Sequence, residues 1–173
     1  LRLRDVSTLS EEERVMLREI GEQLTEDERL KLIGKSTWDK IVNSISSEDL
    51  KKIQGWKNPP SEEVYLKNKK VFDNPKYYNQ TTGEPIWPGQ NGDPNIDGFL
   101  NGKYEDTKLR PGEQIDRYGG NNGTFFGDEG TSIPERAMAP NSDFSKYNKY
   151  VVAREMPVRK GKIAPWFDQL GGG

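Results

Sequence analysis

The sequence predicts an α+β protein, with a short helical segment over residues 1–72 followed by a mainly β, loop-rich domain over residues 73–173. Three observations carry this. Apolar side chains recur at three- and four-residue spacing in the first part, the period of a helix that buries one face. Glycine and proline crowd into the second part, since only Gly21, Gly34, Gly55, Pro59, Pro60 and Pro75 precede residue 76. There the apolar residues fall in short aromatic and β-branched runs between Gly, Pro, Asn and Asp turns, the pattern of small strands joined by long loops. A chain of 173 residues suits one domain with an appendage, and the Leu1 start and triple-glycine end carry the expectation of a piece cut from a longer chain.

In chain order, Ser10-Glu11-Glu12-Glu13 and Thr25-Glu26-Asp27-Glu28 each have the form of a capping box, in which hydroxyl and glutamate satisfy free amides at a helix start. Met16, Leu17, Ile20 and Leu24 continue the first helix, and Trp38, Ile41, Val42 and Ile45 mark another. Gly34 and Gly55 stand where a left-handed residue ends a helix. Three or four short amphipathic helices result. Asn58-Pro59-Pro60 interrupts them, and Ser61 to Phe72 reads as one further helix. Beyond Lys76 the strands expected are Gln114–Tyr118, Thr124–Phe126 and Tyr150–Met156. Gly119-Gly120-Asn121-Asn122-Gly123 supplies the positive-φ residues of a tight reversal, which would set Arg117 and Tyr118 across from Thr124 and Phe125.

Composition excludes whole classes of chemistry. With no Cys there is no disulfide, thiolate nucleophile or zinc-thiolate site, and with no His there is no Ser-His or Cys-His pair and no imidazole acid–base catalysis. Arg, carboxylates, amides, hydroxyls and aromatics remain. The net charge of −2, without a basic block, gives no footprint for nucleic acid. No run approaches the roughly 18 apolar residues of a membrane-spanning helix. Asp93-Pro94-Asn95-Ile96-Asp97-Gly98 imitates the start of a calcium loop, but position twelve is Tyr104 rather than Glu, so an Asx-rich turn is expected and no metal. The glycines from Gly119 to Gly123 lack dinucleotide-fingerprint spacing.

The second part carries a series of landmarks in order: Trp87-Pro88, Asp97-Gly98-Phe99, Pro111-Gly112, Ile115-Asp116-Arg117-Tyr118-Gly119, Gly123-Thr124-Phe125, Arg136-Ala137, Tyr147, Tyr150 and Ala164-Pro165-Trp166-Phe167. Over roughly residues 84–173 this series resembles the TNT family, the tuberculosis-necrotizing-toxin-like NAD glycohydrolase domains. The resemblance implies hydrolysis of NAD or NADP as substrate, with no cofactor and no metal. It also implies a larger secreted toxin that acts in the target-cell cytosol, and a cognate immunity protein as partner. Position by position, Arg117 resembles the family's essential catalytic arginine. Tyr118, Thr124 and Phe125 resemble substrate-contacting residues, and Arg136 resembles a second arginine that holds phosphate. On this reading the guanidiniums of Arg117 and Arg136 converge on one diphosphate. Family members continue past the glycine-rich end into a catalytic glutamine, expected beyond Gly173, and Gln169 is not given that role. The lack of His places the resemblance nearest to histidine-independent members.

On the residues alone other readings stand beside these. Arg117 next to Asp116 reads as a surface ion pair, one of Phe125 and Phe126 as a core residue, and Arg136 as a helix cap. The functional alternatives are ADP-ribosyl transfer or cyclisation in the same cleft, or a non-catalytic protein- or glycan-binding module.

Overall fold

The computed structural model describes residues 9–173, which form two compact units. The first contains α1 (Glu11–Glu22), α2 (Glu26–Leu32), α3 (Lys35–Val42), α4 (Ser47–Gln54) and α5 (Glu62–Lys67), together with the turn Thr81–Glu84. Hydroxyl caps start four of these helices: Ser10, Thr25, Ser46 and Ser61 each accept from the amide three residues on. At Thr25 the reciprocal bond from Glu28 is also made, which completes the capping box. Leu17, Leu24 and Trp38 pack on buried Ile33 and Ile41. Gly21 allows this, since a Cβ there would stand 2.1 Å from the Trp38 ring.

Gly34 ends α2 in the left-handed region, at φ 85°, as its position predicts. Gly55 does not: its φ is −78°, an ordinary helical value. The single helix expected over Ser61–Phe72 is broken. The Asn68 side chain donates to the Val64 carbonyl at 3.0 Å, ending α5 at Lys67, and α6 (Lys69–Phe72) follows as a separate turn.

The second unit comprises Lys70–Gln80 and Pro85–Gly173. Its core is aromatic: Phe72, Tyr77, Tyr78, Trp166 and Phe167 are buried, with ring centroids 4.8 to 6.5 Å apart in tilted and edge-on pairs. Two small antiparallel sheets stand in this unit. β1 (Glu105–Leu109) pairs with β5 (Met156–Lys160), and β2 (Gln114–Tyr118) is central between β3 (Gly127–Asp128) and β4 (Tyr147–Val151). The fold class is α+β, as the sequence predicts.

Two strand boundaries differ from expectation. The run Tyr150–Met156 is divided between two sheets, because Val152 turns away to exchange backbone hydrogen bonds with Gly112 and Glu113. Thr124–Phe126 forms no strand; only Gly127 and Asp128 pair with β2, opposite Asp116 and Ile115. Residues 119–126 are therefore a wide loop, and Thr124 and Phe125 do not face Arg117 and Tyr118 in a tight hairpin. The calcium-like turn resolves as the Asx turn expected: Asp93 accepts from the Gly89 and Asn95 amides, and Asp97 pairs with Arg159 at 2.9 Å. The C-terminal glycines run beside Ile163 and α7 (Ile133–Arg136), with the Gly171 and Gly173 amides donating to Pro134 and Glu135.

Candidate functional site

β2 determines the site through its pleat. Successive side chains leave a strand on opposite faces, so Asp116 and Tyr118 share one face while Ile115 and Arg117 share the other. Cross-strand pairing puts Lys149 and Tyr147 beside the first pair, and Tyr150 and Asn148 beside the second.

On the first face Asp116 is fully buried. One carboxylate oxygen accepts from Arg136; the other accepts from the Tyr147 hydroxyl at 2.6 Å and the Gly130 amide at 3.0 Å. Burial alone would raise this carboxyl's pKa. The Tyr147 hydroxyl, the Arg136 guanidinium and the Gly130 amide outweigh that and hold it below the usual carboxylate value. The same hydroxyl–carboxylate bond raises the pKa of Tyr147. Arg136, with a side chain 9% exposed, also donates from Nε to the Thr131 carbonyl at 2.9 Å and lies 5.1 Å above the Tyr118 ring. It reaches this position because Ser132 and Glu135 form a capping box on α7 and left-handed Ala137 ends that turn. Arg136 and Tyr118 are thus parts of one buried ion-pair network.

On the second face Arg117 projects into the glycine loop. A Cβ on Gly123 would fall within 2.0 Å of its guanidinium carbon, and one on Gly119 within 3.2 Å of Nη2. Nη1 donates to the Phe125 carbonyl at 3.2 Å, and the guanidinium stands 5.8 Å from the Phe126 ring. Phe126 meets Tyr150 edge-on at 5.6 Å, and the Tyr150 hydroxyl donates to Asn121, which ties the loop to β4. Arg117 Nε is buried with no hydrogen-bond partner. A buried donor without an acceptor is costly, and a guanidinium beside a loop open to solvent can take an anionic partner.

Arg117 stands on one face of β2, and α7 brings Arg136 to Asp116 on the other, so the two guanidiniums hold different partners, an arrangement that argues against one diphosphate shared by both. Arg136 already holds a carboxylate; among the described residues Arg117 holds none. Thr124 is exposed beside Arg117's loop, and Phe125 is 69% exposed. Neither Phe125 nor Phe126 is a core residue, because the loop that carries them belongs to no sheet over Thr124–Phe126. Sequence reasoning gives no chemical role to Asp116 and Tyr147; the signal for Asp116 is a carboxylate two residues before Tyr118, on the same strand face. Gln169 donates to the Met138 carbonyl at 3.2 Å and follows the left-handed pair Phe167 and Asp168. A concavity of about 340 Å³ lies away from this loop, lined by Lys76, Ile86, Gln90, Asp93 and Trp166 among others.

A three-stranded antiparallel sheet whose central strand presents a buried carboxylate, paired with Arg136 of α7, on one face and a glycine-cradled arginine on the other defines an α+β domain. Residues 108–173 match the family described as tuberculosis necrotizing toxin. The match begins later than the resemblance read from residue 84. The chain is also similar to the conidial surface nicotinamide adenine dinucleotide glycohydrolase nadA of Aspergillus fumigatus, at 35% identity over 89 residues. That alignment covers 42% of this chain and 38% of the relative, so the chain spans well under half of that protein's length.

Proposed function

We propose that the domain hydrolyses NAD, and NADP, between nicotinamide and ribose, releasing nicotinamide and ADP-ribose. The observation that carries this is Arg117: a guanidinium with unused donors, seated among glycines and beside exposed Phe125, in a stretch that matches the tuberculosis necrotizing toxin family. The reaction suits a chain without His or Cys. As the bond from ribose to nicotinamide breaks, its electron pair passes to the pyridinium nitrogen and cancels that group's charge, so the leaving group needs no proton. Water then adds to the ribose carbon and gives up a proton. The barrier lies in an oxocarbenium-like sugar, lowered by positioning and electrostatics rather than by a strong acid.

In this reading Arg117 grips the diphosphate through its planar fork and draws the ribose into place. Phe125 and Phe126 wall the nicotinamide end, and the Thr124 hydroxyl contacts the substrate. Tyr118 and Arg136 act from beneath the sheet by fixing β2, in place of the phosphate contact first assigned to Arg136. Carriage in a larger secreted toxin, action in the target-cell cytosol and restraint by an immunity protein are what the resemblance implies, and they belong to the same proposal.

Calorimetric titration of the chain with NAD, followed by chromatography of the products, tests it. Expected are saturable binding, free nicotinamide and free ADP-ribose, each diminished in Arg117→Ala. ADP-ribose attached to protein, or a cyclised product, would replace hydrolysis by transfer or cyclisation. Absence of any NAD binding would leave a partner-binding module.

A further inference from the structure

We propose that the groove between α1 and the start of α4 docks a cationic amphipathic helix of a partner protein. The helix α1 spends Leu17 and Gly21 on its own core, against Ile33, Ile41 and Trp38. The other side of such a helix is ordinarily polar. Here Val15, Met16 and Ile20 are exposed, Met16 by 58%. Val15 and Met16 form the apolar lining of a groove of about 480 Å³ whose remaining walls are Glu11, Glu12, Glu19, Ser46 and Glu48. The Glu11 carboxylate accepts from the Ser47 amide and, at 3.1 Å, from the Ser47 hydroxyl, which fastens α1 to the first turn of α4 and holds the groove's end in place.

Charge selects the occupant. Among the described residues four carboxylates line the groove and no cation does, so an apolar ridge flanked by Lys or Arg is complementary, while an acidic segment or an anionic lipid surface is repelled. A second copy of the same surface is disfavoured too, because a two-fold contact would set these glutamates against each other. Methionine on the groove floor adapts to the branched side chains of a docked helix, as in other helix-in-groove sites.

The test uses the full chain and a fluorescent Leu–Lys amphipathic helical peptide, with a Leu–Glu peptide of the same pattern as counterpart. Expected is a saturable rise in anisotropy with the Leu–Lys peptide only. It should weaken about tenfold or more in Met16→Asp and in the double variant Glu12→Lys with Glu19→Lys, while far-UV circular dichroism stays unchanged. If Met16→Asp loses its helical signal, Glu19→Lys at an exposed position decides alone. The proposal is overturned by no saturable binding, by equal binding of the Leu–Glu peptide, or by binding indifferent to the substitutions. A concentration-dependent dimer in sedimentation that Met16→Asp dissociates would assign the groove to a second copy and equally overturn it.

Discussion

Asp116 and Arg117 are neighbours in sequence and opposites in chemistry, and two predictions separate them. Asp116 is buried against Arg136, Tyr147 and the Gly130 amide. Asp116→Asn leaves the nearly buried Arg136 charge uncompensated, which costs about 3–5 kcal/mol. Chemical denaturation should therefore shift strongly toward unfolding. Because the carboxyl's folded pKa lies below its ordinary 3.8, its contribution is complete above that value and is lost as pH falls through the lower folded pKa. The wild-type melting temperature should drop in that acid window, and Asp116→Asn should flatten the drop; an unchanged acid limb would refute the assignment. Arg117 differs, since its donors are largely unused and its surroundings are open. Arg117→Ala should leave the melting temperature within a few degrees while lowering nicotinamide release by roughly 10²–10³, the scale for losing one oriented charge contact in a transition state. Arg117→Lys should not restore the rate, as an ammonium lacks the fork. The sequence singles out Arg117 through an ordered motif. It could not show which arginine would be claimed by Asp116, because that depends on where α7 lies in space.

The loop from Gly119 to Phe126 is where element-scale reasoning decides most. Its length and glycine content were legible, but its register was not, because a three-residue aromatic run carries too little periodicity to distinguish strand from wall. Pairing starts only at Gly127, opposite Asp116. The helices were easier to read, since their caps are local: a hydroxyl and an amide three residues away need no tertiary partner. Glycine substitutions probe the loop directly. Gly123→Ala puts a methyl where the Arg117 guanidinium stands, whereas a Cβ on Gly120 meets nothing within 4 Å. NAD affinity should fall at least about tenfold in Gly123→Ala and stay near wild type in Gly120→Ala, by calorimetric titration. Equal affinities would mean that the guanidinium does not read the cradle. In the first unit, Gly21→Ala drives a methyl into the Trp38 ring, and a cost of about 1–3 kcal/mol should appear as a lower Tm with altered tryptophan emission.

At the scale of the whole molecule, the change from helical to glycine-rich grammar was plain in the sequence, whereas the place where one core ends and the other begins was not. A boundary at residue 72 follows from helical spacing, but core membership follows from burial. Phe72 is fully buried, its ring 4.8 Å from that of Tyr78, and its carbonyl accepts from the Gln80 side chain at 2.8 Å. The compact unit accordingly starts at Lys70. Two fragments make the difference measurable. Residues 70–173 retain every ring of the aromatic core, and both remaining tryptophans, Trp87 and Trp166, report on it through their edge contacts with Phe167. Residues 73–173 lose Val71 and Phe72 together. Deleting one buried phenylalanine costs about 3–5 kcal/mol, a large share of the ~5–15 kcal/mol that stabilises a domain of this size. The longer fragment should therefore melt cooperatively with blue-shifted tryptophan emission. The shorter should melt at least about 10 °C lower or show no transition, given the few degrees that each kcal/mol moves a domain of about 100 residues. Coincident melting curves would show that Phe72 packs on this core without stabilising it.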